Sequence, residues 1–295
     1  ILYVMTENKN KYKILRNKLR RFNDIGISLS SEKNIDKLLE IILEEAKKLT
    51  NSDAGTLYLM IDNNTRLRFE IMRTDSLNFH YGGTSSTAVP EYIYPVKLYN
   101  HETNEPNNNN VSAYVAISGE TINIEDAYTQ KGFDFTGTKG VDVKYNYRSK
   151  SFLTVPMKNH ENDVIGVLQL INALDHKTGD IISFNQEMQE DVESLASQAA
   201  VALTNRKLVE ELKNLFESFI KLIASAIDAK SPYTGGHCSR VPEIAMMLAD
   251  AVEKEKKGKY KNFSMTEDER YELSIAAWLH DCGKVTSPEY IMDKA

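Results

Sequence analysis

Ser151-Phe152-Leu153-Thr154-Val155-Pro156-Met157 and, past the turn His160–Asp163, Val164-Ile165-Gly166-Val167-Leu168-Gln169-Leu170-Ile171 read as two neighbouring strands. Each is a short run rich in β-branched and apolar residues, bounded by turn formers, which is the pattern of a strand. Working outward, Thr56-Leu57-Tyr58-Leu59-Met60-Ile61, the turn residues Asp62-Asn63-Asn64 and the period-two alternation of Arg66-Leu67-Arg68-Phe69-Glu70-Ile71 predict a hairpin. Between these strand pairs lie a long loop over 75–110 with the polar tip Asn107–Asn110, a short helix over Val111–Ile117, a short strand over Thr121–Ile124, and a Gly-, Asp- and Lys-rich mobile loop over 129–146. Ser30 and Ser31 cap a helix whose apolar positions Ile35, Leu38, Leu39, Ile42, Ala46 and Leu49 recur at helical spacing. Residues 6–29 before it read as a surface or dimer helix. The whole predicts an α+β domain, an antiparallel sheet with helices on one side.

Downstream, neither Pro nor Gly occurs between Ile182 and Ala229, so this stretch reads as one long helix. Leu208, Leu212, Leu215, Phe219, Leu222 and Ala226 alternate spacings of four and three, the seam of a coiled coil and hence of a homodimer. The competing reading is a helix packed on its own domain. Ser231-Pro232 and Gly235-Gly236 break the helix, and a second begins at His237. A basic linker spans Lys254–Lys261. Thr266 with Glu269 makes a capping box for a third helix ending at Gly283.

At 295 residues the chain has room for about two domains. A net charge of −6 and the lack of a basic stripe exclude a nucleic-acid polymer as partner. Two cysteines, Cys238 and Cys282, cannot build a disulfide framework and fit a reducing, cytoplasmic setting. No apolar run is long enough for a membrane span. The opening Ile1-Leu2-Tyr3-Val4-Met5 and the closing Ile291-Met292-Asp293-Lys294-Ala295 read as the ends of a fragment of a longer chain.

Ile124-Glu125-Asp126-Ala127-Tyr128, Tyr147-Arg148-Ser149-Lys150-Ser151-Phe152-Leu153-Thr154-Val155-Pro156 and Val164–Asn172 resemble the GAF domains that precede cyclic-nucleotide phosphodiesterases and cyclases. The resemblance spans about residues 30–200. A curved sheet roofed by a loop makes a pocket for a planar ligand, a small molecule or cyclic nucleotide. Phe133, Phe135 and Tyr145 in that loop are candidates to stack on its ring, and Asp126, Asp134 and Asp142 to accept its N–H groups. They are equally readable as ordinary loop aromatics and solvated acids. One departure stands out. The Lys that commonly follows the Asn of the closing strand in nucleotide-binding members is replaced, since Asn172 is followed by Ala173, and Phe184 is followed by Asn185-Gln186-Glu187 in place of the spaced acidic pair. A different small molecule, or dimerisation alone, then becomes the expected role.

Of six histidines, His80, His101, His160 and His176 lie in loops or turns and read as solvated. His237 opens a helix with the apolar stripe Val241, Ile244, Ala245 and Leu248, which puts it on the inward face. His280 closes the third helix on the face of Leu273, Ala276 and Ala277, with Asp281 next and Lys284 three residues on. Buried His and His-Asp presented to one core are reconciled by a divalent metal ion, or are satisfied core histidines. Cys238 and Cys282 adjoin these positions as thiol ligands or as buried fillers.

The stretches Ala226–Val241 and Ala276–Lys284 resemble the two opening motifs of the HD-GYP phosphodiesterases, a subgroup of the HD hydrolases. That resemblance implies an all-helical domain with two or three metal ions, often iron or manganese, hydrolysing cyclic di-GMP. It assigns His237, His280 and Asp281 as metal ligands, Asp281 as the bridging carboxylate, and Lys284 as the lysine beside the scissile phosphate; Asp281 and Lys284 are the catalytic candidates. On that resemblance the nucleophile would be a water whose pKa the cations lower. The family's later His-rich motif, Gly-Tyr-Pro turn and acidic ligand are expected past residue 295, so the intact protein is expected to be the enzyme. The organisation that follows is an N-terminal helix over 1–29, a sensor over 30–181, a connecting helix over 182–218, and the N-terminal part of the hydrolase domain over 219–295. Sensor rearrangement is expected to reach His237 through the connecting helix. A different cyclic dinucleotide substrate, and a sensor and dimer module with a non-catalytic HD remnant, are the alternatives.

Overall fold

The computed structural model describes residues 2–100, 102–230 and 236–287. His101, Ser231-Pro232-Tyr233-Thr234-Gly235 and the segment from residue 288 onward lie outside the described residues. The chain forms two compact units, Ile1–Arg206 and Lys207–Ala295.

The first unit opens with α1 (Leu2–Ser31) and α2 (Ile35–Thr50). The helix start expected at Ser30 and Ser31 falls later. α1 continues to Ser31, and Asn34 is the residue whose side chain caps α2, accepting from the Lys37 N–H at 2.9 Å. The strands are β1 (Ser52–Ile61), β2 (Arg66–Thr74), β3 (Phe79–Gly82), β4 (Val96–Lys97), β5 (Ile122–Ile124), β6 (Phe152–Lys158), β7 (Val164–Leu174) and β8 (Ile181–Ile182). They pair antiparallel in the order β3-β2-β1-β7-β6-β5, with β4 on β2 and β8 on β7.

Helices cover both faces of this sheet, a correction to the one-sided arrangement. Leu57, Leu168 and Leu170 pack with Leu39, Ile42 and Leu43 of α2 and with Val192, Leu195, Ala199 and Leu203 of the helix α5 (Gln186–Lys230). The alternate residues Tyr58 and Val167 pack instead on Ala113, Val115 and Ala116 of α3 (Val111–Ser118). The sequence held this signal. A strand with one wet face alternates apolar and polar, whereas Val164–Ile171 is almost continuously apolar because both its faces are dry.

Two further boundaries differ. The expected mobile loop over 129–146 contains α4 (Thr136–Tyr145), despite Gly137 and Gly140. Its local propensity is poor, and a tertiary anchor overrides it: buried Asp142 accepts from the Ser149 N–H and Oγ and from the Tyr128 hydroxyl. The long helix begins at Gln186, since Ile181 and Ile182 extend the sheet as β8.

A buried cation ties α2 to the sheet. Arg73 is 2% exposed and donates to Glu40 at 2.8 Å and to the carbonyls of Tyr81 and Gly82. Burial opposes ionisation of Glu40, but bonds from Thr84 and Arg73 outweigh it and hold the carboxyl below its ordinary value. A depressed carboxylate pKa stabilises the fold above its unfolded pKa of about 4.3, and that contribution is lost as pH falls through the lower folded value. Glu40→Gln is therefore expected to flatten the fall in melting temperature between pH 5 and 3. An acid limb identical to wild type would contradict this.

The second unit comprises the C-terminal part of α5, α6 (His237–Lys254) and α7 (Glu267–Leu279), with single 3-10 turns at Gly258–Tyr260 and Cys282–Thr286. Thr266 and Glu269 form the expected capping box. Arg270 of α7 pairs with Asp250 and Glu253 of α6. The core is thin: Ala224 and Ile227 of α5 meet Cys238 of α6, with Ile223 of α5 and Trp278 of α7 against them. The inward face of α6 carries Cys238, Pro242 and Ala249, while Ile244 and Leu248 are 54% and 62% exposed. The stripe assigned inward from periodicity is turned largely outward, because small residues let α6 approach its neighbours more closely than that stripe allows. No helix among the described residues is long and apolar enough to cross a membrane.

Candidate functional site

Gly236, at φ 75, turns the chain into α6 in a conformation that L side chains resist, and His237 is the first helical residue. α7 ends at Leu279, four residues before the expected stop at Gly283. His280 is therefore its C-cap, and Asp281 stands in the bend that follows. A Cβ on Gly283 would meet nothing within 4 Å, so the glycine is not what ends the helix. The 3-10 turn Cys282–Thr286 brings Lys284 back over Asp281.

Three ligand atoms converge. His237 Nε2 lies 3.2 Å from His280 Nε2 and 3.6 Å from Asp281 Oδ2, and His280 Nε2 lies 3.3 Å from the same oxygen. Bonds of about 2.1 Å at a tetrahedral angle place ligand atoms about 3.4 Å apart. The observed triangle has that size. His280 Nδ1 is 2.7 Å from the Ala277 carbonyl; as donor there it leaves Nε2 as the lone-pair nitrogen in the neutral ring. Two imidazole nitrogens and a carboxylate oxygen facing one point are the donor set that borderline divalent ions accept. Among the described residues no other three His, Cys, Asp or Glu ligands converge in this way. The site is more open than the sequence implied: His237 is half-exposed and His280 exposed, so the buried-histidine premise is corrected while the convergence stands.

The Lys284 ammonium sits 2.6 Å from Asp281 Oδ2. Burial raises the Asp281 carboxyl, but Lys284 and the two imidazoles more than offset it and keep the group below the usual carboxylate range. Asp281 is thus an anion across the neutral range. Cys238 is buried, and burial first, then Asp228, pushes its thiol up to about 11. It is a filler and not a thiolate ligand. Cys282 is exposed. Iodoacetamide on the folded chain at pH 8 is expected to label Cys282 and spare Cys238; equal labelling of both would contradict the packing described.

The six residues proposed for the sensor pocket scatter. Phe135 is buried against Phe152 and is core. Asp142 is engaged by three donors of its own chain. Asp126 pairs with Arg148 at 2.8 Å and accepts from the Tyr128 N–H. Asp134 accepts from the Thr136 N–H at the start of α4, and the Thr136 hydroxyl first, then this N–H, lowers its pKa. Phe133 packs edge-on to Tyr114, and Tyr145 edge-on to Phe79. Both aromatics are half-buried and retain surface for a ligand, whereas the three acids are taken up by local structure.

A buried polar row was missed. Gln169 Nε2 donates to Thr154 Oγ1 at 3.1 Å and Ser112 Oγ at 3.3 Å, and the Tyr58 hydroxyl donates to Gln169 Oε1 at 3.2 Å. Thr56, Gln169 and Thr154 are register partners across β1, β7 and β6. Burial pushes the Tyr58 phenol up to about 12, so it remains a donor. The signal was a polar residue at the same inward register in three neighbouring strands.

The first unit has the sheet and helices of a sensor domain, and its family follows: the GAF domain model matches residues 34–203, more than half of the chain, and the chain belongs to the GAF domain family. Among curated relatives it is 27% identical over 191 residues to the cGMP-specific 3',5'-cyclic phosphodiesterase of Drosophila virilis, covering 64% of this chain and 19% of that protein. It is 26% identical over 191 residues to the Drosophila ananassae protein of the same name, covering 64% and 15%. The chain spans less than a fifth of the length of these relatives. Among solved structures, the GAF domain of a phosphoenolpyruvate-protein phosphotransferase from Coxiella burnetii superposes with a TM-score of 0.48 at 14% identity, covering 66% of this chain and 98% of that one.

Proposed function

We propose that this chain is the sensor and the first catalytic segment of a cytoplasmic, GAF-regulated, metal-dependent phosphodiesterase of the HD-GYP kind, acting on cyclic di-GMP. The observation that carries the reading is the convergence of His237, His280 and Asp281, with Lys284 against Asp281. His237, His280 and Asp281 would hold a divalent cation, iron or manganese, within a set of two or three ions in the intact enzyme. Bound there, the metal supplies Lewis-acid chemistry toward a phosphoryl oxygen and a more acidic water. The residues do the rest. His280 Nδ1, donating to the Ala277 carbonyl, leaves Nε2 as the lone-pair nitrogen that would face the cation. Asp281 supplies the anionic charge. The Lys284 ammonium, 2.6 Å from Asp281 Oδ2, would meet the negative charge that builds on the phosphate. The intact protein with Mn2+ is expected to convert cyclic di-GMP to the linear dinucleotide, and His280→Ala to abolish this. Metal bound at the triad with cyclic di-GMP untouched would remove the substrate reading and turn attention to another cyclic dinucleotide.

The sensor reading rests on the half-buried Phe133 and Tyr145 and on the relatives being cGMP-specific enzymes. A planar small molecule fits it better than an acid-coordinated one, since the three acids are occupied. The partner is a second copy. Leu208, Leu212, Leu215, Phe219 and Leu222 are each at least half exposed, while the adjacent face of α5 is filled by Ile220, Ala224 and Ile227 inside the unit. What remains uncovered is an apolar stripe along α5 that also takes in Val209 and Phe216, the kind of face a second helix covers. Leu215→Glu with Leu222→Glu is expected to turn a dimer into a monomer in sedimentation equilibrium. A monomeric wild type would end this part of the proposal.

A further inference from the structure

The first turn of α6 has donors to satisfy and no side chain of its own cap to satisfy them, because that cap is Gly236. The Cys238 N–H is met from elsewhere. Both carboxylate oxygens of Asp228, ten residues earlier on α5, lie 3.3 Å from it. The Cys238 side chain, 1% exposed, is held among Ala224 and Ile227 of α5 and Trp278 of α7. The residue beside His237 is thus fixed to α5 through backbone and side chain together. A carboxylate at a helix N-terminus is also favoured by the helix dipole.

We propose that Asp228 is the positioning residue through which α5 sets His237 against His280 and Asp281. The proposal rests on the reading of those three side chains as metal ligands. His237 starts α6 directly before Cys238, whose N–H is bonded to Asp228. Its Nε2 meets Nε2 of His280, which is carried by a different helix. Moving Asp228 therefore moves one corner of the triangle and leaves the other two. Asp228 also lies six residues beyond Leu222, the last large residue of the exposed seam on the same helix. A rotation or slide of α5 at that seam reaches His237 through this carboxylate. Asp228 touches no substrate. It orients a ligand, as carboxylates and carbonyls behind metal-binding histidines do.

The test compares wild type, Asp228→Ala, Asp228→Asn and Asp281→Ala in the full chain. One readout is Mn2+ affinity, from the EPR signal of free Mn2+. The other, without metal, is amide hydrogen exchange in the peptide covering 237–242. Asp228→Ala is expected to bind Mn2+ about 10–100-fold more weakly and to exchange faster at the start of α6, with exchange in β1, β6 and β7 unchanged. Asp228→Asn, which keeps an oxygen for the Cys238 N–H, is expected to restore most of both. Wild-type Mn2+ affinity in Asp228→Ala overturns the proposal. Weak binding in Asp228→Asn with the α6 amides still protected overturns it as well, because charge and not position would then be the cause. If wild type binds Mn2+ no better than Asp281→Ala, the ligand reading falls and takes the proposal with it, while the exchange readout still reports whether the cap exists.

Discussion

Asn172→Ala is expected to destabilise the sensor unit by about 2–5 kcal/mol, from the loss of several buried hydrogen bonds at about 1–3 kcal/mol each where a partner is left unsatisfied. Asn172 is 1% exposed. Its Oδ1 accepts from the Lys150 N–H at 2.8 Å, and its Nδ2 donates to the Arg148 carbonyl at 2.7 Å and to the Tyr147 hydroxyl at 3.0 Å. That hydroxyl in turn donates to Asp53 Oδ2 at 2.5 Å. One amide thus pins the segment leading into β6 to the end of β7. Its backbone is left-handed at φ 59, where Asn is tolerated and Ala is strained. Urea unfolding separates the causes. Asn172→Gly relieves the strain and leaves the bonds broken, so it is expected to recover about 1 kcal/mol of the loss. Asn172→Asp keeps the acceptor for Lys150 and loses both donors. An Asn172→Ala protein as stable as wild type would mean that the segment 147–150 is held by something else.

In the second unit, Asp281→Ala is expected to weaken Mn2+ binding by more than about 100-fold, the upper range for losing even a supporting group of a metal site. Asp281 is the anionic member of the set, and its loss leaves the Lys284 ammonium facing two imidazoles. Lys284→Met is expected to do the opposite. With Lys284 gone, Asp281 Oδ2 would no longer share its charge with an ammonium 2.6 Å away, so a cation is expected to bind at least as tightly as in wild type, while the cyclic di-GMP hydrolysis proposed for the intact protein is expected to be lost. A titration in which both variants lose binding equally would make Lys284 a structural partner of Asp281 and remove its catalytic role.

The strands, the hairpin, the capping box and the helix start at His237 were legible because each rests on local chemistry: β-branched runs, Asn-rich turns, a Thr266–Glu269 cap; the break placed at Ser231-Pro232 lies outside the described residues. Convergence of His237 with His280 and Asp281 was implied by the resemblance of Ala226–Val241 and Ala276–Lys284 to the HD-GYP motifs, not by helical periodicity. What the sequence hid depends on packing. α4 forms around Asp142 in a Gly-rich stretch, and no local pattern announces the donors that come from Ser149 and Tyr128. The inward face of α6 was misread because Cys238, Pro242 and Ala249 are small, and a pattern weighted by size follows Ile244 and Leu248 instead. The acids chosen for a ligand were claimed by their own backbone neighbours, a competition that periodicity does not record.

The most direct test of the account is pulsed EPR of Mn2+ bound to the untagged protein, read for coupling to imidazole nitrogen. Coupling to two nitrogens, reduced to one in His237→Ala and in His280→Ala, is the result predicted. Bound Mn2+ with no nitrogen coupling, or coupling unchanged in both variants, would contradict the metal-holding role proposed for the His237, His280 and Asp281 set.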